Sequence, residues 1–262
     1  MTKKKNKLIF IAGPCVIENK KLTLDIAKYL KDLLAKYPVK FIFKASFDKA
    51  NRTSLSSPRG PGLSRGIKIL EEIKKKVGVP ILSDVHSLEQ VKQVRNVLDI
   101  IQIPAFLCRQ TDLIIEAAKT KKTINIKKGQ FVSPADIKYV IKKAESTGNK
   151  KILITERGAC FGYNNLVVDF RSFLIMKKFG YPVIFDVTHS LQRPSASSGI
   201  SGGDSEFARP LARAAIACGV DGLFMEVHPN PKKALSDKNT TFALRNLGSL
   251  VKQIVKLREV SE

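Results

Sequence analysis

Four residues far apart in the chain carry the most distinctive chemistry: Cys15, His189, Glu226 and Asp237. A thiolate, an imidazole and two carboxylates can together ligate a divalent transition metal. The sulfur favours Zn, Fe, Mn or Co over Mg. Spacing alone leaves a second reading open, in which Cys15 is a small buried hydrophobe and His189 a hydrogen-bonded polar residue. A second group is cationic. Lys44, Lys49, Lys127 and Arg157 fall at or just beyond the ends of apolar runs, as do Ser46, Asp84, His86, Gln102 and Asp186. Gathered at one mouth, such cations hold phosphate or carboxylate; scattered, they are a solvated rim. The segment from Lys44 to Ser54 adds Asn51, Arg52 and Thr53, which suits a phosphorylated, polyhydroxylated ligand or an ordinary polar loop.

The elements around these residues decide whether they can meet. Strands are expected at Lys7–Gly13, Val39–Ala45, Pro80–Val85, Ile100–Pro104, Thr123–Lys127, Lys151–Thr155, Pro182–Val187 and Asp221–Glu226. These runs are nearly continuous in Ile, Val, Leu and Phe, as parallel strands covered on both faces require. Between them lie amphipathic patterns at Leu22–Lys36, Arg65–Lys76, Leu88–Val97, Thr111–Lys119, Ala135–Glu145, Val168–Phe179, Glu206–Cys218 and Phe242–Arg258. Thr111-Asp112 and Ser133-Pro134 read as helix starts.

Eight βα units without a linker predict one (β/α)8 barrel domain over residues 1–262, an α/β fold. A doubly wound sheet would carry a Gly-rich first turn, and Gly13-Pro14-Cys15 is not one. Barrel closure makes strands seven, eight and one consecutive, so Cys15, His189, Glu226 and Asp237 can converge. The polar connections Phe47–Ser64, Leu191–Ser205 and Pro229–Thr241 each follow a strand and belong on the catalytic face. The Ser/Gly content of Leu191–Ser205 suits a closing lid.

Composition narrows the partners. The chain has 46 Lys+Arg against 23 Asp+Glu, a net charge of +23, with 34 lysines and 12 arginines spread along its length. A nucleic-acid binder gathers such charge with aromatics, and this chain has no Trp and 5 Tyr. Small anionic substrates are expected, with no nucleic-acid partner. No apolar run approaches the ~20 residues of a membrane span. Lys3-Lys4-Lys5 before Leu8–Ile11 imitates a signal peptide, but Gly13-Pro14 breaks the run and a cleavage site is lacking. Four cysteines without a CxxC pair fit a reducing cytosol, so a cytoplasmic location is expected.

Six segments carry a family resemblance: KASFDKANR (44–52), IQIPAFLCRQTD (101–112), NIKKGQFVSP (125–134), ERGACFGYNNLVVDFR (156–171), FDVTHS (185–190) and FMEVHPNPKKALSD (224–237). They closely resemble the 3-deoxy-D-manno-octulosonate-8-phosphate synthases, from about residue 7 to 258. The resemblance implies condensation of phosphoenolpyruvate with arabinose-5-phosphate and water, releasing phosphate, for lipopolysaccharide precursor synthesis. It implies that Lys44, Lys49, Lys127 and Arg157, with Ser46 and Gln102, hold phosphoenolpyruvate. Asn51, Arg52 and Thr53 match the sugar-phosphate loop, and Pro104, Ala105 and Phe106 match the wall of the site. Arg109 matches an arginine that reaches the sugar phosphate across a subunit interface, which implies a homotetramer.

Cys15, His189, Glu226 and Asp237 match the ligands of the metal-dependent class, whose metal-independent relatives carry Asn at the Cys15 position. Lys49 and Asp84 are candidates for proton handling and orientation, with His189 as a further catalytic candidate. Ser is common in the family where Thr53 stands, and the hydroxyl survives the exchange. The related DAHP synthases, which use erythrose-4-phosphate, carry Lys-Pro-Arg where this chain has Lys49-Ala50-Asn51-Arg52. They are the alternative reading. A Schiff-base aldolase using Lys127 or Lys128 is a rival of different mechanism.

Overall fold

Branched and aromatic apolar side chains fill both faces of eight short runs, and these become the parallel strands of a closed barrel. The structure is a computed structural model that describes residues 7–197 and 200–261. The barrel strands are β1 (Leu8–Gly13), β2 (Val39–Lys44), β3 (Ile81–Asp84), β4 (Ile100–Ile103), β5 (Thr123–Lys127), β6 (Ile152–Glu156), β7 (Val183–Asp186) and β8 (Gly222–His228). After them in turn come α1 (Lys20–Leu34), α2 (Leu63–Val77), α3 (Leu88–Val94), α4 (Thr111–Lys119), α5 (Ile137–Glu145), α6 (Arg171–Lys177), α7 (Ala208–Ala217) and α8 (Leu247–Ser261). Each strand pairs in parallel with the next, and β1 pairs with β8 to close the (β/α)8 barrel.

Two layers of apolar packing follow from this closure. Inside the barrel, Ile11, Ile42, Leu82, Ile100, Leu153, Ile184 and Phe224 form one cluster. Outside it, Phe10, Phe43, Ile101, Ile154 and Phe185 pack against helix residues such as Ile26, Leu70, Val91, Ile114 and Leu250. Local signals set several helix ends. Asn19 accepts a hydrogen bond from Leu22 N before α1, and Ser87 does the same for Gln90 N before α3. Gly78 ends α2 at φ 68°.

A glycine at the end of β1 lies between the closing seam with β8 and the close approach of β2. β1 runs in register with β8 from Ile9 opposite Gly222 to Gly13 opposite Glu226. A Cβ on Gly13 would lie 1.9 Å from the Lys44 carbonyl oxygen, so no other residue fits there without backbone movement.

All eight expected strands and helices form, with altered boundaries. β8 runs two residues past Glu226, to His228. The expected helix Phe242–Arg258 instead opens with Phe242-Ala243 paired to Val227-His228, then a 3-10 turn at Leu244–Asn246, then α8. Likewise Ser133 caps a 3-10 turn at Pro134–Asp136 ahead of α5, and Ser205–Phe207 form another before α7. α6 starts three residues after Val168. Two antiparallel hairpins were not expected: Ala159–Cys160 with Leu166–Val167, and Gln192–Ser197 with Ile200–Gly203. The second occupies much of the connection read as a lid, of which residues 198–199 lie outside the described residues. So do the lysines at positions 3–5.

Candidate active site

The strand-end rule places the polar residues together. Two abutting cavities of about 470 and 280 Å³ open at the C-terminal face and share Lys49, Asn51, Phe106, Gln130, Arg157 and His189. The smaller is also lined by Lys44, Asp84, His86, Gln102, Pro104, Ala105 and Lys127. Arg52, Thr53 and Asp237 line the larger. Ser46 is buried beneath, with its Oγ donating to Asp84 Oδ1 at 2.5 Å. Arg109 is exposed and lines neither cavity.

The cations do not form a free rim. Lys44 ends β2 fully buried, donating to Glu226 Oε1 at 2.6 Å and to the Cys15 carbonyl at 2.7 Å. Lys127 ends β5, pairs with Asp186 on β7, and lies 3.5 Å from the centre of the Phe224 ring. Burial lowers the Lys127 ammonium to about 8, against the pull of Asp186. Arg157 is positioned by the turn after β6, where Glu156 Oε1 accepts from the backbone N–H of Arg157 and Gly158. Its guanidinium donates to Gln192 Oε1 at 2.5 Å. Burial works against the charge of Lys49 too, yet Cys15, Glu226, Asp237 and Asp84 outweigh it and raise its pKa. Arg52 is held at the rim by carbonyls, from Nε to Pro58 O at 2.9 Å and from Nη2 to Leu235 O at 2.8 Å.

The sulfur and carboxylates converge at the seam. The ligand atoms of Cys15, Glu226 and Asp237 lie within 4.8 Å of one another. His189 sits beside them, with Nε2 3.4 Å from Glu226 Oε1 and Nδ1 2.7 Å from Asp186 Oδ2. Burial, then Glu226, push the Cys15 thiol well up, and it donates to Asp237 Oδ2 at 3.0 Å. Burial also disfavours charge on Asp237, but Lys49 and His189 hold its carboxyl well below the usual range. Asp237 adopts φ 49°, a left-handed conformation that costs a non-glycine residue free energy. Glu226 Oε2 is buried without a hydrogen-bond partner. An unsatisfied carboxylate oxygen beside a thiol and a second carboxylate fits a cation, which would take the thiolate and both carboxylates as ligands.

Asp84 completes the opposite wall. Burial alone would raise its pKa; the His86 hydrogen bond at 3.1 Å, with Lys49 and Lys44, holds it far below the usual range. Two amides were missed from the sequence. Gln130 is buried and lines both cavities. Gln192 joins Arg157 to Asp237, donating to Asp237 Oδ1 at 2.7 Å. Their only sequence signal was position, just after Lys127-Lys128 and just after His189.

Fold and mouth together define a (β/α)8 barrel with buried cations at its catalytic face and a thiol–imidazole–carboxylate cluster on the seam. The chain belongs to the DAHP synthetase I family, whose model matches residues 1–262. It is 54% identical to the 2-dehydro-3-deoxyphosphooctonate aldolase of Desulfatibacillum aliphaticivorans over 254 residues, covering 97% of this chain and 93% of that protein. Proteins of the same name from Geotalea uraniireducens and Geobacter sulfurreducens are 56% and 53% identical, each over 94% of this chain and 91% of its own length.

Proposed function

We propose that the chain condenses phosphoenolpyruvate with arabinose-5-phosphate and water to give 3-deoxy-D-manno-octulosonate-8-phosphate and phosphate, a transferase reaction of lipopolysaccharide precursor synthesis. The observation that carries it is the mouth itself: Lys44, Lys49, Lys127 and Arg157 line one cavity, in a chain closely similar to 2-dehydro-3-deoxyphosphooctonate aldolases. Lys127 and Arg157 hold the carboxylate and phosphate of phosphoenolpyruvate, with Lys44 beneath and Gln102 at the wall. Asn51, Arg52 and Thr53 take the sugar phosphate across the larger cavity, and Pro104, Ala105 and Phe106 wall the passage between.

C3 of the enol attacks the aldehyde carbon of the sugar, water oxygen bonds to C2, and the C2–O bond to phosphate breaks. The new hydroxyl gains a proton and the water loses one. Lys49 is held cationic by the carboxylates of Glu226, Asp237 and Asp84, which suits it to donate a hydrogen bond to the aldehyde oxygen. Asp84, kept ionised by its cationic neighbours, orients Lys49 and Ser46.

Cys15, His189, Glu226 and Asp237 are the residues that would hold a divalent ion, Zn, Fe, Mn or Co. When bound it supplies Lewis acidity for the aldehyde or acidifies the attacking water. The metal-dependent class is supported by Cys15 standing within reach of two carboxylates. A homotetramer is part of the same reading, supported by the exposure of Arg109 outside its own mouth. Light scattering should then give the mass of four 29.0 kDa chains.

The deciding experiment is phosphate release from phosphoenolpyruvate with each sugar phosphate. Turnover with arabinose-5-phosphate and little with erythrose-4-phosphate is expected; the opposite preference supports the DAHP synthase reading. Borohydride with substrate should trap no adduct on Lys127 or Lys128.

A further inference from the structure

Gln102 reaches the mouth at the end of a buried chain of side-chain hydrogen bonds. Thr155 Oγ1 donates to Asn125 Oδ1 at 2.6 Å, and Asn125 Nδ2 donates to Gln102 Oε1 at 2.9 Å. The three residues come from β6, β5 and β4, and Gln102 and Asn125 stand opposite one another in register. Thr155 and Asn125 are fully buried and line neither cavity at the mouth, whereas Gln102 lines the smaller one. The chain therefore begins in the barrel interior and ends at the surface that meets substrate.

Its direction matters. A hydroxyl has one proton to give, and a primary amide has one accepting end and one donating end. The Thr155 hydroxyl can also accept, but with Asn125 reversed its proton would have no acceptor among the described residues, so it gives that proton to the Asn125 oxygen and Asn125 turns its NH2 toward Gln102. Gln102 must then offer its oxygen inward. Its Nε2 has no acceptor among the described residues and is left for whatever occupies the cavity. In the reverse direction a carbonyl oxygen would face the same place, among Lys44, Lys49, Lys127 and Arg157, and would repel an anion.

We propose that Asn125 and Thr155 are positioning residues that fix the Gln102 amide with its NH2 end toward an anionic oxygen of phosphoenolpyruvate. This rests on the reading of the mouth as the phosphoenolpyruvate site. It adds a determinant of affinity that touches no substrate.

The test uses the full chain, with phosphoenolpyruvate binding read by calorimetry and turnover read by phosphate release. Asn125→Asp keeps the shape but offers only acceptors, so it turns the Gln102 amide over. Its Kd and KM for phosphoenolpyruvate should rise about tenfold or more, the loss of one hydrogen bond to a charged group. Thr155→Val removes the proton that sets the direction without adding charge, and a rise of roughly threefold is expected. Thr155→Ser keeps the proton and should restore wild-type affinity. In all three, KM for the sugar phosphate should stay within about twofold.

Asn125→Asp and Thr155→Val that bind phosphoenolpyruvate like the wild type would overturn the relay. So would Thr155→Ser failing to outperform Thr155→Val. A wild-type protein that binds no phosphoenolpyruvate would count instead against the reading of the mouth, which keeps the two failures apart.

Discussion

At Cys15 a single side chain separates two chemistries. Sulfur is a soft ligand, and an amide in its place would be a weak one. Exhaustive chelation of the wild-type protein should abolish phosphate release, and a divalent ion should restore it; full activity after chelation would refute metal dependence. Cys15→Asn should keep some turnover in the presence of chelator. His189→Ala should do worse than Cys15→Asn in the same assay, because the imidazole touches both Glu226 and Asp186. Lys127 makes a prediction about pH. Its ammonium titrates near 8, so the charge is present below that value and lost above it. Hence kcat/KM for phosphoenolpyruvate, which reports the free enzyme, should fall above about pH 8. Bound anion favours the charged form, so the fall in kcat should come at higher pH. A flat kcat/KM up to pH 9.5 would contradict this assignment.

At the level of elements, the seam between β1 and β2 is the most constrained. Gly13→Ala drives a methyl into the Lys44 carbonyl. The cost should be roughly 3 kcal/mol, the upper end of overpacking in cores, and calorimetry should show a Tm lowered by several degrees. An unchanged Tm would mean that the strands can separate locally at no cost. The barrel strands were legible because burial on both faces writes a continuous apolar run. The Gln192–Ser197 and Ile200–Gly203 hairpin was not, since Ser, Ala and Gly carry no alternation. Phe242-Ala243 was read as a first helical turn; its pairing with Val227-His228 is a tertiary fact that no local pattern encodes. The candidate site was legible where residues carry charge at strand ends. Gln130 and Gln192, uncharged and lying outside the barrel strands, gave no comparable signal. Asn125 and Thr155 sit one layer below the mouth, where a polar residue inside an apolar strand was the only trace.

For the whole molecule, the +23 charge resolves into two populations. Lys44, Lys127, Lys128 and Arg157 are buried around the barrel mouth, whereas Lys75, Lys76, Lys121 and Lys142 are exposed on the exterior. Exposed lysines dispersed in this way give weak, counterion-driven attraction to polyanions and no register. Duplex DNA should therefore show no micromolar complex at roughly 0.15 M salt in a fluorescence anisotropy titration. Tight binding that survives that salt would restore the nucleic-acid reading. Among the described residues no helix is long and apolar enough to cross a membrane.

The pairing of β1 with β8 also has a consequence for how the molecule is made. Cys15 is synthesised well before Glu226 and Asp237. Only closure of the barrel sets Gly13 opposite Glu226 and brings sulfur and carboxylates together. A nascent or truncated chain ending before β8 offers no such cluster. The cluster that would hold an ion is therefore assembled in the same step that completes the fold.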